Sequence, residues 1–404
     1  MIVLKPIHRR IDLIIGEHPR TFNKSERYRH KTTTMNKLCR QVSIESPSLK
    51  DCVFNTVEVP QTPVNGARIK VVYAGACYQR QRTPSLSSTT SLSSEISDYT
   101  PQPTSPAHQG IRDAALFPGF EVAGIIDELG ANVGVSSDFR IGQRVILYPF
   151  EDLPAGYAEY IVVPELKYLI VVPDELKLSV SAMLPTGALL AMNTILEASQ
   201  AVSKLFEQNA PDYVCKILIV GTGGLALWAV RLAAHSFSIH DRNSRVKITM
   251  ACLKDEGFKL ANELDDIKVV QWSEDLYETQ LIERTKDACD GEVDIVIDFG
   301  STSRSLNRSL QCLQEGGVVF ISKELAEHYI PKFWKKAGDK KQKIQAVANG
   351  SINQLKDLVQ LVATNQIEPP PHHVYPLDQA SEVVRKLCES EIVGRAILKF
   401  HDIE

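Results

Sequence analysis

The apolar rhythm of this 404-residue chain changes near its middle. Short β-branched stretches at residues 38–44, 53–59 and 67–73, parted by Pro60, Pro63, Asn65 and Gly66, predict strands, and the pattern resumes at 122–129, 144–148 and 158–163. These predict a sheet domain over residues 35–189. From 190 to 347, short apolar runs at 217–220, 246–251, 269–271, 293–298, 318–322 and 344–348 alternate with helical periodicity. That alternation predicts a doubly wound α/β unit on a parallel sheet. A helix over 353–363, a turn at Pro369, Pro370 and Pro371, a helix over 377–389 and a strand over 396–400 close the chain. This last portion, 348–404, is expected to return to the first domain.

One run joins the first α/β strand to a turn with chemical meaning. Ile217, Leu218, Ile219 and Val220 are apolar without interruption, as in a strand covered on both faces. Gly221, Gly223 and Ala226 then fill the three positions of G-x-G-x-x-G/A, with Thr222, Gly224 and Leu225 between them. The first position allows a tight turn, the second lets backbone approach a pyrophosphate, and the third packs helix on strand. An ordinary strand turn can carry the same glycines. The strand before, and the apolar-periodic helix over 227–233 after, point instead to a dinucleotide phosphate capped by free helical N–H groups.

Composition narrows the classes. With 44% hydrophobic and 23% charged residues the chain reads as a soluble globular protein of two domains. A formal net charge of −4 gives no electrostatic reason to expect nucleic acid or a membrane as partner, and no segment approaches the roughly 20 apolar residues of a span. The eight cysteines include no C-x-x-C pair, which disfavours a disulfide framework or clustered structural zinc and fits a reducing, cytoplasmic setting. Residues 1–34 are basic, poor in acid and without periodicity, and read as a disordered leader. A mitochondrial transit peptide and a start at Met35 are the alternative readings, the former weakened by few serines and no clear amphipathic helix. Residues 80–112, rich in Ser, Thr and Pro, are too polar to pack and read as a surface loop.

Other motifs flank the glycine turn in a fixed order: Pro-Gly-Phe-Glu-Val-Ala-Gly at 118–124, Ile-Gly-Gln-Arg-Val at 141–145, Gly-Tyr-Ala-Glu-Tyr at 156–160 and Val-Gly-Arg-Ala-Ile-Leu at 393–398. Together they resemble the medium-chain dehydrogenase/reductase superfamily over residues 37–400. The resemblance implies a GroES-like β domain plus a Rossmann domain, a nicotinamide cofactor in the cleft between them, a small-molecule substrate and a homodimer. Zinc-dependent members need three ligands and an open fourth position. Cys77 falls where the first ligand stands, but Phe120 replaces the family's histidine and Thr186 the second cysteine. The lobe that carries structural zinc is also missing between Tyr148 and Gly156. No metal is expected. Leu184, Pro185 and Thr186 are similar to a run in zinc-free quinone and enone reductases, although those place Asn and Asp at the positions of Cys77 and Arg80.

The second strand of a Rossmann unit normally ends on an acidic residue that accepts from the ribose hydroxyls. Here it ends at Cys252, with Lys254 two residues on. No carboxylate repels a 2′-phosphate, and Lys254 either neutralises it or is a solvated loop charge, so NADP is expected ahead of NAD. The resemblance also puts the turn Asp298-Phe299-Gly300 beside the nicotinamide ribose, where a simple strand end is the alternative, and Arg395 on the cofactor phosphates, where a rim salt bridge is the alternative. Without metal, the expected reaction is hydride transfer from NADPH to a quinone, enone or related carbonyl, driven by proximity and water exclusion. Tyr78, Thr186 or a backbone N–H would meet the developing oxyanion, and Cys77 either takes part or simply packs. The departures at Cys77, Arg80 and Phe120 leave open a degenerate nucleotide-binding or scaffold protein. A zinc alcohol dehydrogenase with substituted ligands comes third.

Overall fold

The computed structural model describes residues 37–43, 53–76, 120–134, 137–149, 157–221, 223–252, 266–273, 276–300, 302–388, 391–392 and 394–402. The basic leader, the Ser/Pro-rich segment, Cys77, Tyr78, Thr222 and Lys254 lie outside these residues.

Strands β1 (Leu38–Ser43) and β2 (Val53–Glu58) pair antiparallel with each other. Then follow β3 (Ala67–Ala76), β4 (Val122–Leu129), β5 (Arg144–Leu147), β6 (Tyr160–Val163) and β7 (Leu169–Val171). A short helix α1 (Leu178–Ser181) leads through a π-helical turn, Leu184–Ala188, into α2 (Leu189–Gln208).

The α/β part runs β8 (Cys215–Val220), α3 (Gly224–Ser236), β9 (Val246–Cys252), β10 (Lys268–Gln271), α4 (Glu278–Ala288), β11 (Val293–Asp298), α5 (Ser303–Cys312) and β12 (Leu313–Ser322). It continues with α6 (Lys323–Asp339), β13 (Lys343–Val347) and α7 (Ile352–Ala363). The chain ends with β14 (His372–Pro376), α8 (Ala380–Cys388) and β15 (Arg395–Lys399).

Six strands form an all-parallel sheet in the order β10-β9-β8-β11-β12-β13. Sequence order reverses between β8 and β11, the switch point at which doubly wound folds open a crevice beyond their carboxyl strand ends. Alternation explains how helices cover both faces. Ile217, Ile219, Ile295 and Ile297 enter one buried cluster with residues of α2, α3 and α7, whereas Leu218, Val220 and Val296 enter another with residues of α4, α5 and α6.

The other large sheet has the order β14-β15-β3-β4-β5-β7, with β6 also on β3. Its two faces serve different cores. Ala396 and Leu398 of β15 join a cluster within the β domain, but Ile397 joins the α/β cluster, together with Val72, Ala123 and Ile146. One hydrophobic core therefore runs continuously from the parallel sheet to a face of the second sheet.

After 348 the chain forms α7, whose Leu355, Leu358 and Val359 pack in the cluster shared by both sheets, and then β14 and β15, which join the mixed sheet. One expectation needs correction. Strand β12 begins at Leu313, five residues early, because the chain passes through Glu315, Gly316 and Gly317 by an irregularity in register with β11 rather than a turn. No helix among the described residues is long and apolar enough to cross a membrane.

Truncating Ile297, fully buried in the central strand β11, is expected to cost about 2–5 kcal/mol. The check is the urea midpoint of Ile297→Ala.

Candidate active site

The glycine turn lies at the switch point. Gly221 has φ +149°, its N–H donates to Ala251 O at 3.0 Å, and Phe299 N–H donates to Val220 O at 2.8 Å. A Cβ on Gly221 would lie 2.9 Å from that of Ala226 and 3.4 Å from that of Phe299, so a side chain would collide with the helix and press on the neighbouring strand end. Gly223 caps α3, with Leu227 N–H donating to its carbonyl at 3.2 Å. The following N–H groups leave the helix without intrahelical partners, a feature that favours an anion. Leu225 is half-buried beside them.

A side chain from the other sheet closes on this turn. Arg395 starts β15, and a Cβ on Gly224 would lie only 2.4 Å from Arg395 Cδ. Its Nη2 donates to Glu121 Oε2, while Glu121 Oε1 accepts from Thr186 Oγ1 at 2.5 Å. Glu121 is 2% exposed and Thr186 4%. Burying a carboxylate so completely needs a paired cation and hydrogen bonds, and Arg395 and Thr186 provide both. The assembly draws Glu121 from the entry to β4, Thr186 from the π-helical turn and Arg395 from β15 to the amino end of α3.

A second buried carboxylate braces the wall. Asp298 ends β11 and accepts from Gly300 N–H at 2.8 Å, Ser309 Oγ at 3.0 Å and Ser305 Oγ at 3.1 Å. Burial pushes its carboxyl up to about 6, against the pull of those donors. These bonds tie the Phe299–Gly300 backbone to α5. Phe299 is itself 94% enclosed, beside the glycine turn.

The structure thus brings together Gly221, Gly223, Gly224, Phe299, Gly300, Thr186 and Arg395. It places Cys252 differently: the side chain is wholly buried in the α/β core, its thiol pushed up to about 12 by burial, so it presents no polar group to a ribose. Cys77, Tyr78, Thr222 and Lys254 fall outside the described residues. What sequence reasoning passed over is the buried hydrogen bonding of Glu121 and Asp298. The signal for Glu121 was a charged residue inside an otherwise apolar and glycine motif at 118–124; for Asp298 it was an acid closing an apolar strand.

The donor set can also be tested for zinc. Phe120 is 5% exposed within the β-domain core and offers no ligand atom. The Thr186 hydroxyl is spent on Glu121, and both Glu121 oxygens are engaged. These residues do not fit a catalytic zinc. They do fit an anionic dinucleotide, which needs helical N–H groups and a nearby guanidinium.

Comparison with known proteins agrees with this geometry. Residues 64–174 match the family model of the alcohol dehydrogenase GroES-like domain, and residues 273–398 match that of the zinc-binding dehydrogenase. The chain is similar to a zinc-type alcohol dehydrogenase-like protein of Schizosaccharomyces pombe, 22% identical over 70% of this chain and 82% of that protein. It is likewise 22% identical to D-arabinose 1-dehydrogenase (NADP(+)) of Saccharolobus solfataricus, over 72% of this chain and 83% of the relative. Among solved structures, acetophenone reductase from Geotrichum candidum in complex with NAD shares the fold. Its TM-score is 0.60, at 16% identity over 90% of this chain and 98% of that one.

Two outcomes follow from the site. Arg395→Ala leaves Glu121 buried without its cation and is expected to cost about 3–5 kcal/mol in denaturant unfolding; a loss below about 1 kcal/mol would argue that the pair is not buried as described. The Asp298 carboxyl is raised on folding from its ordinary 3.8 to about 6, so the folded state holds the proton more tightly. Stability therefore falls as pH rises through that window, and Asp298→Asn should flatten the slope.

Proposed function

The chain belongs to the medium-chain dehydrogenase/reductase superfamily, and from that premise we propose a zinc-independent oxidoreductase that uses NADPH to reduce a quinone, enone or related carbonyl. A nicotinamide cofactor is supported by the likeness to D-arabinose 1-dehydrogenase (NADP(+)) and to acetophenone reductase in complex with NAD. The observation that carries it is the amino end of α3 opening beside Arg395 at the switch point of the parallel sheet. Preference for NADPH over NADH rests on the missing acid at the end of β9, where Cys252 is buried. Zinc independence rests on Phe120 and on the Thr186 hydroxyl already given to Glu121. A homodimer is the expected assembly. Cys39, Cys215, Cys252, Cys289 and Cys312 are free thiols, which supports a reducing compartment.

A bound nicotinamide supplies the hydride, and the residues of this chain do the rest. The first N–H groups of α3 and the Arg395 guanidinium hold the diphosphate. The Phe299–Gly300 turn, braced by Asp298, fixes the wall next to it. Positioning of reactants in this way is worth about 7–11 kcal/mol where the geometry is close to that of attack. With its proton on Glu121, the Thr186 oxygen faces a substrate as an acceptor, so the oxyanion formed on the acceptor is left to Tyr78 or a backbone N–H, and the proton to solvent.

Engagement of Arg395 by Glu121 favours a second reading, a degenerate member that keeps the nucleotide but turns nothing over. Turnover separates the two. NADPH oxidation against a panel of quinones and enones is expected to find at least one acceptor; saturable nucleotide binding with no acceptor consumed would favour the scaffold. Metal analysis of the purified protein is expected to find less than stoichiometric zinc, and about one tightly held zinc per chain would overturn the metal-free chemistry.

A further inference from the structure

The end of α6 carries a surface that the cofactor chemistry does not use. Between residues 332 and 343 stand Lys332, Lys335, Lys336, Lys340, Lys341 and Lys343 against the single acid Asp339. Some of these are engaged: Lys341 pairs with Glu315 at 2.7 Å and Lys336 donates to Asn307 Oδ1 at 2.5 Å. The ammonium groups of Lys335 and Lys340 are exposed, and Lys340 is tied down through its backbone, whose N–H donates to Ala337 O at 3.2 Å and whose carbonyl accepts from Gly316 N–H at 3.0 Å. The lysines crowd one another: burial and the Lys340 charge both push the Lys336 ammonium below its ordinary range. Trp334 lies among them with 66% of its surface exposed, whereas Trp228 and Trp272 are each only 1% exposed.

Lysines in a last helical turn complement the helix dipole, and that accounts for part of the charge. It gives no reason for an exposed indole. Trp is amphipathic and partitions to the boundary between lipid headgroups and acyl chains, and a cluster of four to eight lysines on a helix surface is the electrostatic signature of anionic lipid. A second copy of this chain fits poorly, because a two-fold contact would set the same lysines against each other. The patch is the outer face of one helix and the turn after it. Near-neutral net charge of the whole chain, −4, conceals it.

We propose that the carboxyl end of α6, with Trp334 as the inserting side chain and Lys335 and Lys340 as principal charges, docks reversibly on an anionic phospholipid surface. This contact is peripheral and independent of the nicotinamide reading. It would bring the protein to a membrane without any spanning helix.

The test uses the full chain with vesicles of phosphatidylserine in phosphatidylcholine, against pure phosphatidylcholine. Flotation with the anionic vesicles only, reversed by high salt, is expected. Intrinsic tryptophan emission should shift to the blue on binding, and Trp334→Ser should abolish the shift, since the other two indoles are already buried. Lys335→Glu combined with Lys340→Glu should lower vesicle partitioning roughly tenfold or more. Unchanged circular dichroism and NADPH binding would show that these variants remain folded. Absence of wild-type flotation, equal binding of the charge-reversed variant, or retention on poly-uridine or poly-glutamate without vesicle binding would each overturn the proposal.

Discussion

One guanidinium side chain links the mixed sheet to the head of the helix that follows the glycine turn. Arg395 leaves the first position of β15, lies against Gly224 at the head of α3 and pairs with the buried Glu121. A side chain at position 224 would occupy the space of Arg395 Cδ, and loss of the arginine would leave a carboxylate 98% enclosed without this guanidinium. Arg395 and Glu121 stand on the mixed sheet whereas Gly224 heads the helix that follows β8, so the arginine fills the contact between the two layers. The proposed phosphate site is thus an interdomain construction rather than a property of the glycine turn.

The hydrophobic packing makes that construction rigid. Ile397, two residues after Arg395, is fully buried in the cluster that also holds Ile217 and Ile219 of β8, so the strand carrying the cation shares a core with the strand that precedes the turn. Interiors packed to crystal-like density transmit small displacements rather than absorbing them. On the opposite wall, Asp298 fastens the Phe299–Gly300 backbone to α5 through Ser305 and Ser309. Two buried carboxylates, each satisfied by short polar contacts, therefore flank the place where the dinucleotide is proposed to lie.

Much of the scaffold was legible in the sequence, and the reasons are local. Residues 122–129 and 293–298 form strands to the residue, because each has clear β-branched patterning bounded by turn chemistry or a charge. Strand β14 was missed: it follows three prolines, opens with two histidines and has mostly exposed side chains, so no alternation marks it. The π-helical turn Leu184–Ala188 is buried throughout and shows no polar face from which a period could be read. The Glu121–Arg395 pair spans 274 residues, a separation at which only the folded topology can bring side chains together. Thr186 was singled out for its place in a family-like run, but its partner emerges only in three dimensions. Cys252 ends its strand as expected, and only the packed core reveals that its thiol faces inward.

The proposed function stands on one contact, between the amino end of α3 and the diphosphate of a nicotinamide dinucleotide. The most direct measurement is titration of the purified protein with NADPH, followed by nicotinamide fluorescence, in the native chain and in Gly223→Val. The account predicts saturable binding that the substitution abolishes while the thermal unfolding transition is retained. Unchanged affinity in the variant, or no saturable binding by the native chain, would contradict it.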